Sequence, residues 1–170
     1  SRLVGHKGMD LVCQGLEGLM AAGCQLVVLG QGESQFEDAF RWAQNRWPGR
    51  VSAQITYSDN LSRRIYGAAD LFLMPSRSEP CGLSQMISMR YGTVPIVRET
   101  GGLKDSIHDS GDGYGNGFTF ANYNAHELYE ACWRAKEGYW QKDGWPVLVK
   151  RAMECDFSWS NSAKSYEGLY

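Results

Sequence analysis

The sequence has no long hydrophobic run, no excess of charge and no signal-peptide pattern at its start. No apolar stretch approaches the roughly 20 residues that span a bilayer. The formal net charge is only -2 over 170 residues, and no basic run is present, so neither a nucleic-acid surface nor an anionic membrane surface is predicted. We therefore expect no nucleic-acid and no membrane partner.

Motifs of several enzyme classes are also absent. No HExxH, Walker A, GxSxG or DxD pattern occurs, which disfavours zinc hydrolases and metal-dependent sugar transferases. The segment Gly30-Gln-Gly32 begins like a dinucleotide fingerprint, but Gln35 stands where the third glycine belongs, which disfavours NAD. We predict no metal site and no cofactor.

Cysteine pairs typical of zinc or redox centres are missing too. The cysteines are odd in number and widely spaced, without a CxxC pair, so a reducing compartment is the simplest interpretation. The five residues are Cys13, Cys24, Cys81, Cys132 and Cys155.

Short apolar runs alternate with longer amphipathic stretches along the whole chain. This rhythm favours βα units and an α/β fold with a parallel sheet. A hydrophobic content of 43% over 170 residues is enough for one well-buried core. We therefore predict one domain over 1–170, with strands at 25–29, 51–57, 71–74, 94–98 and 118–121.

Helical periodicity fills the segments between these strands. The predicted helices cover 7–22, a segment around 36–43, 60–69, 81–91, a short helix from Gly101, a helix from about 124, and 145–170 with an interruption at 156–159. The inward residues are predicted to be Val12, Leu16, Leu19 and Met20 in the first helix, Leu83, Met86 and Ile87 in helix 81–91, and Leu128, Ala131, Cys132 and Ala135 in the helix from 124. The polar, glycine-rich segment His108–Gly117 is expected to be a mobile surface loop.

Ligands of open parallel sheets lie beyond the carboxyl ends of the strands, so residues that follow strands are candidates for a site. The segment Ser76–Ser84 follows one strand and opens a helix, where free N–H groups near Gly82 and Ser84 attract an anion. Glu79 lies beside that point, and its carboxylate can accept hydrogen bonds from sugar hydroxyls. An ordinary helix-cap acid is the alternative interpretation of Glu79.

Three further positions are candidates at this edge of the sheet. The turn Thr100-Gly101-Gly102 lets backbone approach a ligand closely, although many such pairs are only turns. Arg2 and Lys7 flank the first loop and can neutralise a diphosphate; a solvated surface pair is the alternative.

Two single residues complete the set of candidates. Tyr57 ends a predicted strand and can stack on a base, or it packs on a neighbour as strand-end aromatics do. Cys81 stands at a predicted helix start and is expected to be a small, buried packing residue.

Five segments together, SRLVGHKG, ITYSD, PSRSEPCGLSQM, RETGGLKDS and FSW, closely resemble the C-terminal domain of bacterial glycogen synthases and plant starch synthases. That family consists of retaining glucosyltransferases of the GT-B architecture, in which this half has a Rossmann-like parallel sheet flanked by helices. The resemblance runs over nearly the whole chain in the same order. It implies bacterial cytoplasm or plastid stroma as the location, and ADP-glucose and an α-1,4-glucan as partners.

The resemblance also implies roles for individual residues. Arg2 and Lys7 match the pair that holds the distal phosphate of ADP-glucose, and Glu79 matches the glutamate that is essential for transfer. Tyr57 matches the tyrosine that stacks on adenine. The backbone at Cys81, Gly82, Leu83 and Ser84 and at Thr100, Gly101 and Gly102 matches the turns that hold the glucose and the diphosphate.

Two departures limit what the resemblance implies. Many related retaining enzymes have a second glutamate eight residues after the first, where this chain has Ile87. The family's N-terminal domain supplies most of the glucan site, and the chain does not include it. We therefore expect helices 145–170 to face that domain and the chain alone to be inactive. A non-catalytic nucleotide-sugar-binding module and another GT-B enzyme, such as a sucrose synthase, remain alternatives.

Overall fold

The computed structural model describes residues 1–169, and in it strands and helices alternate as predicted. Each predicted strand is found, and all strand pairing is parallel, which confirms the α/β fold. The strands are β1 Leu26–Leu29, β2 Val51–Gln54, β3 Leu71–Met74, β4 Val94–Arg98 and β5 Phe118–Phe120. The helices are α1 Met9–Ala21, α2 Ser34–Arg46, α3 Asp59–Ala68, α4 Ser84–Arg90, α5 Gly101–Ser106, α6 Ala125–Tyr139, α7 Gly144–Met153 and α8 Trp159–Glu167.

Strand pairing divides into two ladders with the first residues of the chain beside them. One ladder joins β1 and β2, and the other has the order β3-β4-β5. Leu3 forms a parallel bridge with Gly32 beyond the end of β1, and its side chain packs in one cluster with Leu26 and Leu73 of the two ladders. The segment from Leu3 to Gly8 therefore lies at the carboxyl ends of both ladders.

Helices α1 and α6 bury the faces that their spacing predicts. All four predicted residues of each helix are buried, and Leu128 and Ala131 have no exposed surface. Full burial of a leucine side chain contributes about 1.5 to 3 kcal/mol, so these two faces are a main part of the core. Strand residues Val94 and Ile96 lie in the same core cluster.

Three of the predicted element ends that differ from the structure lie near the candidate residues, and each of these errors has a local cause. Lys7 belongs to a 3-10 turn, Gly5–Lys7, because Gly8 adopts a φ of 80° and separates that turn from α1. Strand β2 stops at Gln54, the last residue paired with β1, so Tyr57 lies in the following loop. Helix α4 starts at Ser84 instead of position 81, because Gly82 has a left-handed φ of 73°.

The predicted inward face of α4 is also wrong. Leu83 is 65% exposed and Ile87 is 42% exposed, whereas Gln85, Ser88 and Met89 are buried. The buried residues have helical spacing, but two of them are polar, and their hydrogen bonds to backbone carbonyls compensate for burial. Hydrophobic periodicity alone does not identify such a face.

The segment 108–117 is more regular than an open loop. It contains a 3-10 turn, Ser110–Asp112, and the carboxylate of Asp112 accepts the N–H groups of Tyr114 and Gly115 at 2.7 and 2.9 Å. Arg151 of α7 donates to the carbonyls of Gly113 and Gly115. These bonds anchor the segment to α7, and its mobility stays a prediction.

Among residues 1–169, no helix is both long and apolar enough to span a membrane.

Candidate functional site

Two loops meet at the carboxyl edge of the sheet, one after Leu3 and one after β3. The backbone N–H of Arg77 donates to the carbonyl of His6 at 2.9 Å. A Cβ on Gly8 would lie 2.1 Å from the carbonyl oxygen of Pro75, a distance that no side chain tolerates. Glycine at position 8 therefore permits the contact that brings Lys7 next to the loop after β3.

Lys7 and Glu79 form an ion pair across these two loops. The side chains are 19% and 10% exposed, and the Ser76 hydroxyl donates to the same carboxylate oxygen at 3.4 Å. Glu79 is therefore not a helix cap, because the N-cap of α4 is Leu83 and no side chain caps that helix. Two predicted site residues are thus held together in a largely buried pair.

The turn before α5 docks on the loop that carries Glu79. The N–H of Gly102 lies 3.1 Å from the carbonyls of both Glu79 and Pro80. Cβ atoms on Gly101 and Gly102 would lie 2.2 and 2.1 Å from the carbonyls of Glu79 and Cys81. Both glycines are therefore needed for this close approach, and Thr100 precedes them as the N-cap of α5.

The segment Cys81–Ser84 differs from the prediction at its first residue. Cys81 is exposed instead of buried, because the left-handed Gly82 delays the start of α4 and leaves Cys81 in the loop. Leu83 is 65% exposed, so this segment presents its surface to solvent beside Glu79.

Arg2 and Tyr57 are not brought into contact with the other candidates. Tyr57 is 85% exposed, so it does not pack on a neighbour. The Arg2 side chain is exposed and makes no ion pair or hydrogen bond to residues 1–169. Both side chains are free to meet a ligand, and their predicted roles remain predictions.

A cluster of side chains around Tyr123 is not predicted by the sequence patterns. The Tyr123 hydroxyl donates to Asp10 and lies 3.4 Å from the carbonyl of Gly5. The guanidinium carbons of Arg77 and Arg98 lie 4.2 and 5.6 Å from the tyrosine ring centre. Burial, followed by the hydrogen bond and charge of Asp10, raises the pKa of Tyr123 to about 12. The ring therefore joins the loop of Lys7 to the loop of Glu79.

Arg98 strengthens this connection from the end of β4. Its guanidinium donates to the carbonyl of Arg77 at 2.8 Å and to that of Ser76 at 3.4 Å. An arginine that ends an otherwise apolar strand, VPIVR, is the one sequence feature that indicates such a role.

Glu33 holds the first loop from the side of β1. Its carboxylate accepts the N–H of Gly5 at 3.0 Å and the side-chain amide of Gln35 at 2.7 Å. These two bonds, the first above all, lower the pKa of Glu33. The carboxylate therefore stays charged and keeps the turn that ends in Lys7 in place.

Other features of the surface lie away from this edge. An open, mainly apolar groove between α4 and α7 is lined by Arg90, Trp145, Val149 and Met153, at the end of α4 opposite to Glu79. Within residues 1–169 no three histidine, cysteine or acidic side chains are grouped so that they could hold a metal ion.

Comparison with known proteins places these features in a family. The family model described as glycosyl transferases group 1 matches residues 1–139. The chain is 53% identical over 173 residues to a glycogen synthase of Lachnospira eligens and 49% identical over 172 residues to one of Desulforamulus reducens. Each alignment covers 100% of this chain and 36% of the relative, so the chain spans about a third of their length.

Solved structures agree with this assignment. The catalytic domain of starch synthase IV from Arabidopsis thaliana, bound to ADP and acarbose, superimposes with a TM-score of 0.90 at 39% identity, over 100% of this chain and 36% of that one. A sucrose-phosphate synthase from Thermosynechococcus elongatus gives a TM-score of 0.70 at 22% identity over 100% and 43%, which supports the fold only. Since the family model covers residues 1–139, the chain belongs to the glycosyl transferases group 1.

Proposed function

We propose that this chain is the donor-binding domain of a glucosyltransferase that extends an α-1,4-glucan. The full-length protein would transfer glucose from ADP-glucose to the non-reducing end of the glucan with retained anomeric configuration. The glycogen synthases to which it is 49% and 53% identical support this assignment. So does the likeness to a starch synthase bound to ADP and acarbose.

One observation carries the proposal, the largely buried pair of Lys7 and Glu79 at the carboxyl edge of the sheet. A carboxylate there accepts hydrogen bonds from the hydroxyls of the glucose and favours positive charge at the anomeric carbon. An ammonium beside it neutralises charge on the departing diphosphate. The carboxylate therefore lies on the side of the glucose and the ammonium on the side of the diphosphate, the two groups that separate when the bond breaks.

The exposed residues of this edge receive the remainder of the nucleotide sugar. Tyr57, at 85% exposure, stacks on the adenine, and Arg2 joins Lys7 at the distal phosphate. The turn of Gly101 and Gly102 approaches the diphosphate, and the backbone of Gly82 and Leu83 contacts the glucose. These assignments rest on the family resemblance and, for Arg2, Tyr57 and Leu83, on the exposure of the side chain.

Retention is assigned to attack on the same face that the diphosphate leaves. Retaining glycosidases use two carboxyl groups about 5 to 5.5 Å apart. Among residues 1–169, Glu79 is the only carboxylate that we place beside the sugar. In the proposed mechanism the leaving phosphate assists the incoming glucan hydroxyl. No protein general acid is required, because a diphosphate is a stable leaving group.

The glucan site is assigned to the remainder of the full-length protein. The relatives are about three times longer than this chain, which covers 36% of them. Helix α8 has no buried residue, and its Trp159 and Tyr166 are 89% and 66% exposed. We propose that α8 faces the other domain, and that the protein works in the bacterial cytoplasm or the plastid stroma.

Calorimetry on the full-length protein with ADP, ADP-glucose and UDP-glucose tests the donor. We expect ADP and ADP-glucose to bind and UDP-glucose to bind at least about tenfold more weakly, a difference of about 1.4 kcal/mol. If none of the three nucleotides binds, the proposal is contradicted. Binding of ADP-glucose without transfer to a glucan identifies a non-catalytic binding module instead.

A further inference from the structure

Gln85 is a fully buried polar residue in the first turn of α4, with 0% exposure. Its side chain points back to the loop that carries Glu79. A neutral amide at such a position must be explained by its hydrogen bonds, because an apolar residue of the same size would pack there without a polar group to satisfy.

The side-chain amide nitrogen of Gln85 contacts two consecutive backbone carbonyls. It lies 3.1 Å from the carbonyl of Cys81 and 3.0 Å from that of Gly82. It also lies 3.1 Å from the hydroxyl of Ser106, which itself donates to the carbonyl of Gly102 at 2.6 Å. The opposite orientation of the amide would place its oxygen against two carbonyl oxygens, so only the nitrogen fits here.

The two carbonyls determine where the neighbouring N–H groups point. In a trans peptide the N–H is directed opposite to the C=O, and no cis peptide occurs in residues 1–169. Because the carbonyls of Cys81 and Gly82 turn inward to Gln85, the N–H groups of Gly82 and Leu83 turn outward. Neither N–H has an acceptor among the described residues.

Keeping the amide here leaves one polar atom without a partner. The oxygen of Gln85 is buried and has no hydrogen-bond donor in the described part of the chain. A Cβ on Gly82 would lie 2.6 Å from this oxygen, so the loop is closed tightly over it. The unpaired oxygen is the consequence of directing the nitrogen to the two carbonyls.

We infer that Gln85 is a positioning residue that directs the N–H groups of Gly82 and Leu83 towards the glucose of the donor. The inference rests on the proposed function, since that function places glucose at these two groups. The turn at Gly102 has further contacts that do not involve Gln85, since its N–H lies 3.1 Å from the carbonyls of Glu79 and Pro80. Loss of Gln85 is therefore expected to weaken contacts with the glucose more than the binding of ADP.

Two variants of the full-length protein test this role. Gln85→Met keeps the length and volume but removes the donor, and Gln85→Glu keeps the shape but faces the carbonyls with oxygen. We expect kcat/KM for ADP-glucose to fall about 100-fold in both, as when a fixed backbone or amide donor is lost. We expect the Kd for ADP to stay within about twofold, because ADP lacks the glucose.

Ser88→Ala is the matched control on the same helix. Ser88 is also 0% exposed, and its hydroxyl donates to the carbonyl of Gln85 at 2.8 Å without reaching the loop. We expect it to leave kcat/KM within about threefold. A role of Gln85 in packing alone would weaken ADP and ADP-glucose equally, and that result overturns the inference, as does normal kcat/KM in Gln85→Met.

A measurement on the wild-type protein covers the case in which both variants fail to fold. In nitrogen-labelled protein, we expect the amide resonances of Gly82 and Leu83 to shift with ADP-glucose and to stay in place with ADP. Unchanged resonances in the presence of bound ADP-glucose overturn the inference. If wild-type protein binds neither ligand, the proposed function itself fails.

Discussion

Lys7 and Glu79 are 72 residues apart in the sequence and form an ion pair at the carboxyl edge of the sheet. Lys7 ends the 3-10 turn that precedes α1, and Glu79 lies in the loop between β3 and α4. Tyr123 contacts the loop of Lys7 at Gly5, and Arg98 contacts the loop of Glu79 at Arg77. The pair is therefore fixed by its surroundings before any ligand arrives.

Removal of one partner of this pair is expected to destabilise the protein. Lys7→Met leaves the Glu79 carboxylate, 10% exposed, without its counter-ion, which typically costs about 3 kcal/mol in a buried pair. The double variant Lys7→Met/Glu79→Gln removes the unpaired charge, so we expect it to recover at least half of the loss. Thermal midpoints of the three proteins measure this, and a double variant less stable than Lys7→Met contradicts the buried pair.

The close approach of α5 to the loop of Glu79 predicts a large effect of Gly102→Ala. The new Cβ would lie 2.1 Å from the carbonyl of Cys81, and such overpacking costs about 1 to 3 kcal/mol. Gly144→Ala is the control, because its Cβ would lie 3.6 Å from a side-chain carbon and a compatible helical site gains about 0.5 kcal/mol. Urea unfolding compares them, and equal stabilities would show that the loop yields easily.

Tyr57 is expected to affect nucleotide binding without affecting stability. Its ring is 85% exposed, and stacking of a base on an aromatic ring contributes about 1 to 3 kcal/mol. We therefore expect Tyr57→Ala to raise the Kd for ADP about tenfold, Tyr57→Phe to stay near wild type, and neither to move the thermal midpoint. An unchanged Kd in Tyr57→Ala would exclude stacking on this residue.

The raised pKa of Tyr123 predicts a stability change in alkali. Burial and the carboxylate of Asp10 raise the pKa from 10.0 to about 12, so the folded protein holds this proton after the unfolded chain has lost it. The resulting stabilisation is complete below pH 10.0 and falls as the pH rises towards about 12.

Tyr123→Phe is therefore expected to show a shallower loss of stability across that pH window. Ultraviolet titration of the tyrosinate band should lose its latest-titrating group in this variant. Tyr114→Phe removes a tyrosine that is 85% exposed, so it should leave the pH dependence of stability unchanged. If wild type and Tyr123→Phe titrate alike, the tyrosine is not paired with Asp10.

The parts of the fold that the sequence predicts are those whose burial is apolar. Leu16 of α1 and Leu128 of α6 recur at helical spacing and are buried as predicted. Gln85 breaks this rule, because its partners are backbone carbonyls of a loop that only the folded chain brings near. The hydropathy of neighbouring residues in the sequence contains no information about such a partner.

The candidate site, like the fold, could be predicted only in part from the sequence. Glu79 and Gly102 follow β3 and β4, so their position at one edge could be predicted from the alternation of elements. Lys7 follows only the isolated bridge of Leu3. The mutual contacts of these residues could not be predicted, since they depend on left-handed glycines such as Gly8 and on the loops they turn. The Tyr123 cluster was missed for a related reason: its members come from separate elements, and each is ordinary by itself.

Transfer of labelled glucose from ADP-glucose to an α-1,4-glucan by the full-length protein tests the central role of Glu79. We expect wild-type protein to form new α-1,4 bonds, and Glu79→Gln to lower kcat at least about 100-fold while the Kd for ADP stays within about threefold. Normal turnover in Glu79→Gln, or β-linked product from wild-type protein, would contradict the assignment of this carboxylate and of a retaining mechanism.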